Sequence, residues 1–150
     1  MAVEDLALGF RFGVYFFAGG LFPNRVDIRF KRVSGLGATV HTVDHREGGQ
    51  NMFTRRIPDG ISHDNIVFER GMVVDSLLNL EFQLALSFYT MNPSNVMVTL
   101  FDGAGAPLGG WLCVKAFPVR WTTSDLDAGS TDVVVDTFEL AYQRLIYVRT

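Results

Sequence analysis

The sequence predicts a single, mainly β domain with one helix, spanning residues 1–150. Apolar and polar residues alternate with a period of two in segment after segment, and glycine- or proline-bearing turns separate those segments. A chain of this length with 48% hydrophobic residues fills one core, and no repeat, linker or low-complexity tract divides it.

In chain order, Phe10, Phe12, Val14 and Phe16 share one face of a first strand. Val26, Ile28 and Phe30 mark a second, before a turn at Ser34-Gly35. Val40 and Val43 lie in a third, from Ala38 to about Asp44. A polar loop with Gly48-Gly49 and Pro58-Asp59-Gly60 follows, and Ile66 and Phe68 mark a fourth strand. Two periods compete between Asp75 and Phe88. Leu78, Leu80, Phe82, Leu84, Leu86 and Phe88 alternate as a strand would, whereas Leu77, Leu80, Leu84, Ala85 and Phe88 fit one face of a helix that Asp75 or Ser76 would cap. The length and the Leu, Gln, Glu and Ala content favour the helix. Val96, Val98 and Leu100 mark a fifth strand, turned by Gly103 to Pro107. Trp111 to Trp121 reads as a sixth, with Pro118 near a bend or an edge. Val133 to Val148 is long enough for a seventh strand or for two pairing segments.

Charge and cysteine content narrow the partners. The net charge is −3, and the basic residues occur singly or in pairs, with no stripe for a phosphate backbone, so no nucleic acid is expected on the surface. Cys113 is the only cysteine; it forms no internal disulfide, and its neighbours Leu112 and Val114 place it in a buried or half-buried strand. MAVEDL carries two acids where a secretory signal would be basic. The apolar run Phe12 to Phe22 is about half the roughly 20 residues a membrane span needs. The expectation is a protein made soluble in the cytoplasm, with no membrane insertion.

Candidate chemistry is sparse. His41, Asp44 and His45 are close in sequence, but on a strand rising ~3.3 Å per residue the two histidines stand ~13 Å apart, so they are expected to face solvent and not to share a metal. Gly103-Ala-Gly105 lacks the third glycine of a dinucleotide fingerprint and leads into a strand, as a hairpin turn does. Asp125-Leu-Asp127 opens like a calcium loop, yet Ser130 stands where that loop needs glycine. There is no Gly-x-Ser-x-Gly elbow, Cys113 has no base beside it, and Glu47, Asp64, Glu69 and Asp102 are isolated charges. No catalytic residue, cofactor or metal is expected. The rival expectation from another class is a soluble small-ligand-binding β-barrel or a carboxylate-dependent enzyme.

Several strands are apolar on both faces. Tyr15 and Phe17 join Phe10, Phe12 and Phe16; Val133, Val135 and Ala141 join Val134, Phe138 and Leu140. A second apolar face needs a cover from the helix, a loop or another subunit. Tyr15 and Phe17 are therefore candidate subunit-interface residues. Gly48, Gly49, Gln50, Asn51, Arg55 and Arg56, in the polar glycine-rich loop, are candidates for a second contact.

Motifs in order along most of the chain resemble the tube-protein family of contractile injection systems, which includes phage T4-like tail tube proteins and the tubes of antifeeding-prophage-like particles. They are the opening strand Gly9-Phe-Arg-Phe-Gly-Val-Tyr-Phe-Phe17, the turn Phe30-Lys-Arg-Val-Ser-Gly-Leu36, and His45-Arg-Glu-Gly-Gly-Gln-Asn51, with His where the family has Tyr. Asn65-Ile-Val-Phe-Glu-Arg-Gly71 and the block Trp111 to Asp127, with Ala116-Phe-Pro-Val-Arg-Trp121 and Ser124-Asp-Leu-Asp-Ala128, complete the set. The chain departs at Leu80-Glu-Phe82, where an aromatic-rich turn with Trp is common. The resemblance implies a small antiparallel β-barrel with one helix, assembling into hexameric rings that stack as a hollow tube inside a sheath. It also implies a likeness to the ring protein of type VI secretion. Partners so implied are further copies of the chain, other tube, sheath and baseplate proteins, and a cargo in the lumen. Two roles stay open: repeating shaft subunit, or baseplate-proximal ring that starts the tube.

Overall fold

The computed structural model describes residues 12–17, 30–72, 77–89 and 93–149. Among them are nine strands and one helix: β1 Phe12–Phe17, β2 Arg32–Ser34, β3 Thr39–His45, β4 Arg55–Ser62, β5 Ile66–Gly71, α1 Leu77–Phe88, β6 Ser94–Phe101, β7 Pro107–Thr123, β8 Val135–Ala141 and β9 Arg144–Arg149. Every pairing is antiparallel. The period-two alternation thus resolves as neighbouring strands with one face packed inward. The strand expected around Val26 and Ile28 lies outside the described residues, as do Phe10 and the capping residues Asp75 and Ser76.

Strand β7 organises the fold. Its first half pairs with β6 on one side and β9 on the other, and its second half pairs with β8. Lys115 sits between the halves at φ 53°, and opposite it the β6 register slips between Ser94 and Val96. A residue in that conformation, left out of the ladder, bends a strand sharply and lets it leave one sheet for another. One sheet therefore runs β1-β6-β7-β9 and the other β7-β8-β5-β2. The two segments expected from Val133 to Val148 are β8 and β9, which pair with opposite halves of β7 instead of each other. Pro118 lies in the second half, where β7 is the edge of its sheet and its register against β8 slips before Arg120, a place that tolerates a residue without an N–H. The path ends at β1 and β2, with no pairing between them among the described residues, so the sheet is bent and open.

The core fills the angle between the sheets. Val14, Val96, Val98, Cys113 and Ala116 come from the first, and Ile66, Phe68, Phe138 and Leu140 from the second. Phe16, Phe30, Phe68 and Phe138 form a chain of tilted and edge-on ring contacts with centroids 5.3–6.4 Å apart. Fully burying each such ring is worth roughly 1.5–3 kcal/mol. On β1, Phe12, Val14 and Phe16 face this core while Tyr15 and Phe17, on the other face, are half-buried. Buried Arg70 and Asp136 stand opposite each other in the β5–β8 register. The Arg70 guanidinium lies 5.1 Å over Phe30 and 5.3 Å over Phe138, and Asp136 accepts a hydrogen bond from Thr123.

Two elements differ from expectation. The helix is present and packs on β7, but the stripe that fits its period lies outward: Leu80, Leu84 and Phe88 are exposed while Ala85 is buried. The polar loop from Gly48 to Gly60 is half strand, because Arg55–Ser62 is β4, paired with β3. Pro58-Asp59-Gly60 makes a bulge instead of a turn: two residues, Asp59 and Gly60, stand opposite the single His41, with Gly60 at φ 97°.

Candidate functional site

Strands β3 and β4 form a hairpin that makes no ladder with either main sheet among the described residues. Residues of both strands are exposed throughout. The extra residue in β4 sets the faces. Val40, Thr42 and Asp44 stand with Ile61, Pro58 and Arg56 on one side; Val43 and His45 stand with Ile57 and Arg55 on the other. Each side thus carries a cross-strand Val–Ile pair at 44–65% exposure. A lone two-stranded hairpin is marginal in water, and aliphatic pairs on both faces are what a neighbour would cover.

The end of the arm is built from the residues singled out in the sequence. Gln50 N–H donates to the Glu47 carbonyl at 3.2 Å, with Gly48 and Gly49 inside that turn and Gly49 at φ 88°, a position that favours glycine. Asn51, Met52 and Phe53 follow, all exposed, with Met52 at 90% and Phe53 at 64%. Arg55 pairs with Glu47 at 3.0 Å, and Arg56 reaches Asp44 at 3.6 Å and Thr42 Oγ1 at 3.1 Å. These exposed pairs are weak in salt, but they close the tip into one shape. His41 shares a 2.7 Å hydrogen bond with Ser62 on this open surface. Tyr15 and Phe17 lie elsewhere, on β1 at the edge of the first sheet, opposite Met97 and Asn95. The structure therefore gathers Gly48, Gly49, Gln50, Asn51, Arg55 and Arg56 on one arm and sets Tyr15 and Phe17 apart.

A latch that sequence reading missed fixes the root of the arm. Tyr142, just past β8, aims its hydroxyl at the carbonyls of Gly35 and Gly37, 3.3 and 3.4 Å away. His63 donates Nδ1–H to the Gly37 carbonyl at 3.3 Å, and its ring lies 5.2 Å from that of Tyr142. Gly35 has φ 89°, and a Cβ there would collide with the Asn65 carbonyl. Burial raises the Tyr142 phenol above its ordinary range. The sequence signal was faint: Gly35-Leu-Gly37 gives room for the root, but Tyr142 lies more than a hundred positions away.

The far end of the same sheet holds the loop between β7 and β8. Ser124 and Val135 close its base through Ser124 N–H to the Val135 carbonyl and Val135 N–H to Ser124 Oγ, both 2.9 Å. Asp127 accepts the Gly129 N–H at 2.9 Å, an internal turn use of the carboxylate that the calcium-like motif carries. The Gly103 segment is a hairpin turn, with Asp102 accepting from the N–H groups of Ala104 and Ala106. Burial pushes the Cys113 thiol up to about 11, so at neutral pH it is a protonated core group and not a nucleophile.

Among curated proteins none matches the chain. A chain of the anti-feeding prophage baseplate, solved by cryo-EM with six-fold symmetry, is 36% identical, with 98% of each chain covered and a TM-score of 0.89. A chain of the tube-terminating cap of the anti-feeding prophage is similar in fold at 24% identity, over 100% of this chain and 95% of that one, with a TM-score of 0.82. Hcp1 from Flavobacterium johnsoniae shares the fold more distantly, at 12% identity over 91% of this chain and 93% of that one, with a TM-score of 0.52. The family model described as T4-like virus tail tube protein gp19 matches residues 8–146. With nearly the whole chain covered and the fold shared, this chain belongs to the T4-like tail tube protein family and is a structural subunit of a phage-tail-like injection system.

Proposed function

We propose that the chain, acting as one domain over residues 1–150, forms hexameric rings of the inner tube, with its sheet closed as a barrel wall in the ring, and that its place is the baseplate-proximal end where the tube starts. It has no catalytic role in this reading. One contrast carries the placement. Two chains of the anti-feeding prophage particle differ in their likeness to this one, 36% for the baseplate chain against 24% for the cap chain. A ring at the baseplate end fits that contrast better than a repeating shaft subunit does. In the particle, sheath and baseplate proteins would surround the ring and cargo would lie in its lumen. Tyr15 and Phe17 would face a ring neighbour along the β1 edge, and the β3–β4 arm would reach the next ring.

Electron microscopy of the purified protein, alone and mixed with a shaft tube protein of the same system, tests this. Six-membered rings that shorten the lag of shaft polymerisation are expected. Persistent monomers, or rings with no effect on the shaft protein, would count against the proposal.

A further inference from the structure

Glycine follows aspartate at two places in the chain, Asp59-Gly60 and Asp102-Gly103, and follows asparagine at none. Glycine has no Cβ to shield its amide nitrogen, so this is the pairing at which a backbone nitrogen most readily attacks the preceding side-chain carboxyl. The fold treats the two pairs in opposite ways. Asp102 is tied down in the β6–β7 turn. Its Oδ1 accepts from the N–H groups of Ala104 at 2.9 Å and Ala106 at 2.8 Å, its own N–H donates to the Ala106 carbonyl, and its carbonyl accepts from Gly105. Attack by the Gly103 nitrogen requires the carboxylate to leave both donors. Asp59 has no such hold. Its carboxylate makes no hydrogen bond or ion pair among the described residues, and Asp59 and Gly60 are both exposed. They form the β4 bulge opposite His41, and a Cβ built on Gly60 meets nothing within 4 Å. The hairpin that carries them is bonded to neither main sheet among the described residues, so it opens locally more readily than the body strands do.

We propose that Asp59 is a modification site at which the arm isomerises without an enzyme. In a locally open arm the Gly60 nitrogen bonds to Cγ of Asp59; the amide proton and the carboxyl hydroxyl leave as water, and a five-membered succinimide closes. Water then adds to one of the two ring carbonyls. Addition at Cγ restores aspartate, whereas addition at the main-chain carbonyl gives isoaspartate, in which the peptide bond to Gly60 runs through Cγ. One water is lost and one gained, so the mass is unchanged. The main chain of β4 gains one carbon, and the α-carboxylate becomes the side group. The extra atom falls inside the bulge that sets the two faces of the arm. Ile61 and Ser62 thereby lose their register with Val40 and Thr39, and the 2.7 Å His41–Ser62 hydrogen bond goes with it.

Protein L-isoaspartyl methyltransferase with labelled S-adenosylmethionine, which esterifies the freed α-carboxylate, reads the product after incubation, and peptide mapping assigns it. In the native protein, label in the Asp59 peptide should exceed that in the Asp102 peptide by at least about tenfold, because the two sites open locally to different extents. In the chain held unfolded in urea the two peptides should agree within about twofold. Asp59→Glu, whose longer side chain closes the ring poorly, should leave that peptide unlabelled. Amide exchange in β3 and β4 should quicken on ageing in the unsubstituted protein and stay constant in the variant. Equal labelling of the two peptides in the native protein, or less at Asp59, would overturn the site. An arm that loosens equally in the aged variant would overturn its effect on register. Neither result bears on the ring reading above.

Discussion

Cys113 shows how little at the residue scale concerns chemistry and how much concerns packing. It has no exposed surface, and burial alone raises its thiol from 9.0 to about 11. The unfolded chain loses that proton first, so the stabilisation is complete below pH 9 and disappears as pH rises toward 11. Tyr142, also raised, adds to the same loss at the upper end of that window. Melting temperature should therefore hold steady to about pH 8.5 and fall by about 5 °C by pH 10.5. Cys113→Ala should show a shallower fall from a slightly lower starting point, and an equal slope in both proteins would mean the thiol does not govern it. Its burial was legible because Leu112 and Val114 flank it. Arg70 was not: a charge beside a turn reads as surface, and only the folded chain shows its guanidinium lying over Phe30 and Phe138.

At the scale of elements, local pattern served well where one face of a strand is wet and the other dry. Alternation in β5, β6 and β8 reflects that arrangement directly. It failed on β4, where Pro58 and Gly60 are turn formers used for a bulge and both faces are exposed, so no alternation exists to be seen. The direction of the arm is equally illegible locally, because it depends on Tyr142 meeting Gly35 and Gly37 across the chain. Tyr142→Phe removes a hydroxyl from that meeting and leaves the ring in place. The melting temperature should drop by no more than about 3 °C, while amide exchange in β3 and β4 speeds at least fivefold relative to β5 and β8. Uniform change across all four strands would show that Tyr142 supports the body and not the arm.

For the whole molecule, the two apolar faces of β1 were readable from the sequence, because five aromatics between Phe10 and Phe17 exceed what one interior accepts. The path of β7 through both sheets was not, since a bend at Lys115 leaves no compositional mark. Charge placed at Phe12 or Phe16 should unfold the protein, whereas Tyr15→Glu or Phe17→Glu should leave a folded monomer. Size-exclusion chromatography with circular dichroism separates these outcomes, and identical behaviour of the two pairs would dismiss the two-faced strand. The register of β1 also imposes a timetable on synthesis. Phe12 pairs with Leu100, and Phe17 with Asn95, so the aromatic strand leaves the ribosome well before its partner exists. At about 5–20 residues per second the wait is roughly 4–18 s. Throughout that interval a sticky segment hangs from a growing chain, in a polysome where identical segments trail from neighbouring ribosomes. In the proposed ring, the subunit must stay apart from its copies until translation has passed β6.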